Sequence, residues 1–418
     1  MKETKDSSQR LTKAEKSWIL YDVANSAFIM IVTATIPIYF RSLAEGSGMS
    51  GTSATSLWGS ATSISILILA LLSPVLGAIA DYENMKKKIF TIFFVIAIAG
   101  GFLFTFAPGW LSFLIFFIIS RIGYAACNIF YDAMLIDVTT DERMDRVSTC
   151  GYAFGYIGSC IPFVASLLLI LGADAIGISG VTGLLLILNC DTIGLPMVTA
   201  TRISFVITMV WWIIMSIPLY KNVHQQYSLP HEPHVFAATF KRLGATFQKL
   251  AKDKRMLFFI IGYFCYIDGV YTIISMATTY GGEVGIDSNA MVLALLLTQF
   301  VAFPCSILSG TLAKKFGSMR MIKIFIVMYM AICLFGYGLD TELEFWILAV
   351  SVGICQGGIQ ALSRSYYGKI IPKDESSEYF GFFDVFGKFA DFFGPLIISF
   401  CAYFFHNSKY GVLSLILL

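Results

Sequence analysis

Apolar residues in this chain fall into long, nearly unbroken runs separated by short polar punctuation. A hydrocarbon layer about 30 Å thick takes roughly 20 helical residues at about 1.5 Å each. Runs that satisfy this lie at 17–40, 54–80, 89–107, 110–135, 147–172, 201–220, 256–280, 288–313, 321–339, 343–367 and 379–405. A twelfth opens at Tyr410 and stops at Leu418, too short to cross. The runs exceed strand length and do not alternate in polarity. Helices are therefore the reading that satisfies every backbone group in lipid. The pattern predicts an all-α integral membrane protein. Pro108-Gly109 marks a tight turn between the third and fourth spans.

Residues 1–16 are polar and basic, and the first apolar run has no small-residue cleavage site. It reads as a retained helix rather than a removed signal. The stretch 175–190 is uncharged but short and glycine-rich. Treated as a non-crossing outer-face loop, it leaves 23 of the 29 Lys and Arg on one side, 3 on the other and 3 (Arg121, Arg364 and Lys388) within spans. By the positive-inside rule the chain is expected to be a multi-pass protein of the cell membrane, with the N-terminus cytoplasmic.

The longest segment on the basic side, 221–255, follows the sixth span. In it Phe236, Phe240, Leu243, Phe247 and Leu250 recur at helical spacing, with Lys241, Arg242, Lys249 and Lys252 on other faces. This predicts an amphipathic helix on an anionic leaflet or, equally, a basic tether. The expected organisation is a cytoplasmic tail 1–16, a six-helix bundle 17–220, a linker 221–255 and a second six-helix bundle 256–418.

Composition closes off other classes. The chain is 57% hydrophobic and 13% charged, with a net charge of +2. Disorder and nucleic-acid binding are thereby excluded, since both need far more charge. Nine cysteines show no C-x-x-C spacing, and most sit in spans, where Cys acts as a small apolar residue. His231 and His234 are two isolated ligands on a proline-containing loop, a weak metal motif. No phosphate loop, zinc-protease helix or nucleophile elbow is present, so neither cofactor nor metal is expected and the chain is not read as an enzyme.

The halves share a loop signature. Gly77-Ala-Ile-Ala-Asp81 follows the second span and leads to Lys86–Lys88. Gly310-Thr-Leu-Ala-Lys314 follows the eighth and leads to Arg320. A glycine there lets two helices approach closely, and the charges can latch one conformation. This repeat resembles the G-x-x-x-D-R/K-x-G-R/K loop of the major facilitator superfamily, with Tyr82 and Asn84 as departures. The resemblance implies two six-helix bundles that rock about a central cavity. Tyr21-Asp-Val-Ala-Asn-Ser-Ala27, Arg146 through Gly158, and Gln356-Gly-Gly-Ile-Gln-Ala-Leu-Ser-Arg-Ser365 are similar to segments of its vacuole-effluxer, autophagy-related ("unknown major facilitator") branch. Val23 and Asp132 depart from that branch, whose fungal members are linked to amino-acid export.

Ionisable groups within spans are costly and default to function. Asp22 and Asn25 lie in span one, Arg121 in span four, Asp268 in span seven, and Gln356 and Gln360 in span ten. Asp384, Lys388 and Asp391 share one face of span eleven. These form the candidate substrate-binding and proton-coupling set. Asp268 is the leading proton carrier, and Arg121 suits a substrate carboxylate because its fork pairs bidentately. Gly77, Asp81, Asp132, Gly310 and Arg364 form the candidate gate. Fixed interhelical ion pairs are the competing role for all the charges. The expected activity is proton-coupled export of a small organic solute, such as an amino acid, by a monomer in the bilayer. The rivals are export of amphipathic drugs or lipids, and a non-transporting sensor on the same scaffold.

Overall fold

The structure, a computed structural model, describes residues 10–171, 197–230, 235–405 and 409–417. The loop reading of 175–190 and the pair His231 and His234 lie outside the described residues. The elements are α1 (Lys13–Ala34), α2 (Ile36–Gly46), α3 (Gly51–Ala80), α4 (Met85–Thr105), α5 (Trp110–Val138), α6 (Asp141–Leu171) and α7 (Met197–Asn222). The linker helix α8 (Val235–Lys252) follows, then α9 (Lys254–Val284), α10 (Ser288–Phe316), α11 (Ser318–Tyr337), α12 (Glu342–Ile370), α13 (Ser376–Phe405), α14 (Lys409–Ser414) and a 3₁₀ turn, Leu415–Leu417. Among the described residues ten helices are long and apolar enough to cross a membrane, with α1 and α2 acting as one. The 30-residue α13 has the length of a further span and carries the Asp384–Lys388 charges.

Local sequence sets these boundaries. Thr12 and Glu15 form a reciprocal capping box that starts α1. The first run was expected as one helix over 17–40. It instead breaks at Thr35, because Pro37 has no N–H to continue the ladder and sits in the first turn of α2. Pro74, Pro162, Pro304 and Pro395 fall one each in α3, α6, α10 and α13. Those four helices meet across the middle of the molecule, as α3 with α13 and α6 with α10.

The halves repeat one pairing scheme. In the first, α1 packs on α6, α3 on α5 and α4 on α5. In the second, α9 packs on α13, α10 on α12 and α11 on α12. Large apolar side chains such as Leu71, Phe258, Val327 and Leu343 face outward, while Asp22, Asp268, Gln356 and Arg364 are buried. This is the inverse of a soluble protein and suits lipid around the bundles. The start of α1, the linker helix and the ends of α3 and α10 share one end of the molecule, the linker end.

Candidate functional site

At the linker end the two bundles close on each other along two seams. In the first, Gly77 on α3 lies so near α13 that a β-carbon there would sit 2.1 Å from the Ser377 carbonyl oxygen. One helical turn later Asp81 faces the start of α13. Its Oδ1 accepts from the Ser377 N–H at 2.7 Å and its Oδ2 from the Glu378 N–H at 3.0 Å. A carboxylate at a helix N-terminus satisfies orphan donors and meets the positive end of the dipole.

Tyr82 stands where the resembled loop carries a basic residue, and the linker supplies the cation instead. Arg242 on α8 donates to Glu378 at 2.6 Å, to the Ala78 carbonyl at 2.8 Å and to Asp81 at 3.3 Å, and it lies over the Tyr82 ring. Burial pushes the Asp81 carboxyl up to about 7, against the pull of Lys86 and Arg242. Beside it the fully buried Lys86 of α4 bonds Asp137 of α5 at 2.7 Å and Ser376 of α13 at 3.0 Å.

The second seam joins α6 to α10, α11 and α12. A β-carbon at Gly310 would meet the Thr149 hydroxyl at 2.1 Å. Here the acid comes from the opposite bundle. Asp145 on α6 accepts from Ser365 at 2.6 Å and Ser318 at 2.8 Å, and pairs with Lys369 at 2.6 Å.

Deeper in, the structure gathers three residues that lie far apart in sequence. Arg364 of α12 reaches into the first bundle, where its guanidinium donates to Asp132 of α5 at 2.9 Å and Asp22 of α1 at 3.4 Å. It also donates to the Ser148 hydroxyl and carbonyl of α6, at 3.0 and 3.1 Å. Trp18, Tyr131 and Tyr152 wall the guanidinium, 4.6, 5.5 and 4.5 Å from their ring centres. Such an aromatic box favours a desolvated cation.

Beyond this cluster α1, α3, α5 and α13 line an open cavity of about 140 Å³. Its lining brings in two cations, Arg121 and Lys388, with Ser65, Asn128 and Tyr124 as further polar groups and Phe28 as an apolar wall. Asn25 stands behind it and donates to Asn128 at 2.8 Å. Lys388 pairs with Asp384, whose other oxygen accepts from Ser73 of α3 at 2.7 Å. The side chain of Asp391 lies outside the described residues.

Arg121 and Lys388 thus share the cavity, while Asp268, Gln356 and Gln360 are not among its described lining. Asp268 is 1% exposed and its Oδ1 accepts from the Gly394 N–H at 2.7 Å, joining α9 to α13. Gln356 is buried on α12 and Gln360 is half-buried.

Several residues had no signal in the sequence alone. Lys86 reads there only as part of the basic cluster after Asp81 and Arg242 as one polar face of a linker helix, while Asp137 and Asp145 are not singled out at all. Each acquires its role only from a partner on another helix. The departure at Tyr82 was the one hint that a cation had to come from elsewhere.

Comparison with known proteins places this geometry. The family model described as "Vacuole effluxer Atg22 like" matches residues 12–139 and 137–418. The chain is 45% identical over 413 residues to the "Uncharacterized MFS-type transporter YxiO" of Bacillus subtilis (strain 168), covering 98% of this chain and 93% of that one. It is 24% identical over 315 residues to Autophagy-related protein 22 of Yarrowia lipolytica, covering 67% of this chain and 50% of the fungal protein. Among solved structures the human organic anion transporter MFSD10 superimposes with a TM-score of 0.69 at 12% identity, covering 96% of both chains.

Proposed function

Because the chain belongs to the vacuole-effluxer, Atg22-like family of major facilitator transporters, we propose that it exports a small carboxylate-bearing metabolite, such as an amino acid, in exchange for protons. The observation that carries this reading is the cavity in which Arg121 and Lys388 meet Asn128, Ser65 and Tyr124. The Arg121 guanidinium, a Lys388 ammonium that Asp384 already pairs with, and a few neutral polar groups suit a compact solute with an anionic end. The guanidinium fork pairs a carboxylate with two parallel hydrogen bonds, and the ammonium adds a point charge.

Size supports this solute over the amphipathic alternative. A cavity of about 150 Å³ admits a molecule the size of benzene. At about 140 Å³ the space between α1, α3, α5 and α13 fits a small metabolite. The family's description as a vacuole effluxer supports export. The 23-to-3 distribution of Lys and Arg supports a cell-membrane protein with its linker end in the cytoplasm.

Rocking of the two bundles about this cavity supplies alternating access. The seams on α3 and α10 are the gate, and the buried acids Asp22 and Asp268 and the half-buried Asp132 are the candidates to carry the proton. A metabolite-release comparison of cells with and without the protein identifies the solute, and counterflow in proteoliposomes then measures it. Arg121→Gln is expected to lower solute affinity about tenfold or more, with the protein still folded. Unchanged affinity in Arg121→Gln and Lys388→Gln together rejects this cavity as the binding site.

A further inference from the structure

The linker helix α8 has two faces with different surroundings. Inward, Thr239, Thr246 and Leu250 are buried, and Arg242 reaches the Ala78 carbonyl, Asp81 and Glu378. Outward, Phe240 and Phe247 are 64% and 58% exposed, and the exposed Lys241 and Lys252 stand on the adjoining flank. Lys249 is spent on Glu375, whereas among the described residues no acid pairs with Lys241 or Lys252. Two large rings beside two unspent ammonium groups form a surface that is both apolar and basic.

The position of that surface names its occupant. After α8 ends at Lys252, only Asp253 intervenes before α9 starts at Lys254 as a membrane span, with Phe258 in its second turn exposed. The linker helix also crosses the ends of α3 and α13, through Arg242 and through Lys249 with Glu375. It therefore lies across the ends of three spans, at the level where the chain enters hydrocarbon. The Phe247 ring stands beside Phe382, with centres 6.5 Å apart. Phe382 is one turn farther into α13 than Glu378, so the outward face turns toward the span and not toward water. A phospholipid headgroup layer receives such a face, and anionic headgroups add attraction for each lysine.

We infer that α8 binds anionic phospholipid through Phe240, Phe247, Lys241 and Lys252, and that this binding holds Arg242 in the α3–α13 seam. Lipid on one face and the gate on the other make α8 a lever. A leaflet rich in anionic lipid keeps the linker end closed. A neutral leaflet lets α8 lift, and the buried Asp81 and Glu378 then lose their cation. The coupling concerns closure of the linker end, whichever solute is carried.

The seam has its own reporter. The Ser377 and Glu378 amides lie in the first turn of α13, where a helix offers them no acceptor, and both donate to Asp81. Their hydrogen–deuterium exchange is measured by mass spectrometry on the full chain in lipid discs. Discs of pure phosphatidylcholine are compared with discs holding about 30% phosphatidylglycerol. Exchange at the start of α13 and along α8 should be about fivefold or more slower with the anionic lipid. Salt at about 0.5 M should shrink the difference. Phe240→Ser with Phe247→Ser, and separately Lys241→Gln with Lys252→Gln, should remove most of it at both places. Arg242→Gln should keep the lipid effect on α8 and lose it on α13. Equal exchange in the two discs overturns the inference, as does a lipid effect that survives both outward pairs of changes. A response of α8 without one at α13 in the unaltered chain, or one at α13 that survives Arg242→Gln, overturns the lever. If Arg242→Gln does not fold, the outward variants decide, since they leave Arg242 in place.

Discussion

The two seams at the linker end do the same work with different chemistry. On the α3–α13 side the acid, Asp81, is carried by the loop signature itself and caps a helix with two backbone donors, and its cation, Arg242, comes from the linker. On the α6–α10 side Lys314 occupies the register of Asp81, so the acid had to move. Asp145 supplies it from the other bundle, and side-chain hydroxyls and Lys369 take the place of backbone donors. The first seam is therefore rigid and depends on a third element, whereas the second is made of side chains that can turn. What the repeat preserves is the close approach of two helices beside a charge, and not the identity of the charged residue.

The most direct test of that difference comes from the glycines. In Gly77→Ala the new methyl meets a backbone carbonyl that cannot yield, and overpacking of this kind costs about 1–3 kcal/mol. In Gly310→Ala it meets the Thr149 hydroxyl, a side-chain atom held by the Asp145 and Arg146 carbonyls rather than a backbone atom, and the cost should be smaller, about 1 kcal/mol, partly offset by better helix propensity. Thermal unfolding in detergent, with thiol labelling at the linker end, ranks the two. Equal effects would mean that the seams are equally rigid.

Next come the cations. Arg242→Ala leaves the buried Asp81 and Glu378 facing each other and should cost about 3 kcal/mol, as breaking a buried pair does. Lys369→Ala leaves Asp145 with two hydroxyl donors. Lys369 is also partly exposed, so about 1 kcal/mol is expected. The same melting experiment reads both, and a Lys369 effect as large as that of Arg242 would erase the distinction.

The smallest effect sharpens the role of the linker. Phe240 and Phe247 on α8 are exposed, so changing both to Ser should shift stability in detergent by no more than about 0.5 kcal/mol. In vesicles containing anionic lipid the same change should speed proteolysis of α8, because these rings are exposed, Phe247 beside Phe382, where a bilayer surface would receive them. Identical cleavage rates in vesicles would make α8 a simple tether.

Much of the frame was legible because each span is selected independently by length and hydropathy. The 30-residue α3 and the 31-residue α6 can be read one at a time. The loop repeat placed Gly77 and Gly310 where helices do meet closely. The linker helix was legible as a helix, but its facing was not. Thr239, Thr246 and Leu250 turn inward while Phe240 and Phe247 turn outward, since Arg242 must point at Asp81. The candidate site was less legible still. Arg121 and Lys388 were each flagged, and only packing showed that they share a cavity that Asp268 and Gln356 do not line.

The sequence by itself determined that this chain lives in lipid, that it repeats a helix array, and that a few charges are buried within it. These follow from local quantities: the apolar length of a helix and the cost of an ionisable group in hydrocarbon. Only the tertiary structure decided which charges meet. Asp132 and Arg364 are 232 residues apart and end 2.9 Å apart. A buried ion pair is set by which helix faces are brought together, and no local pattern encodes that.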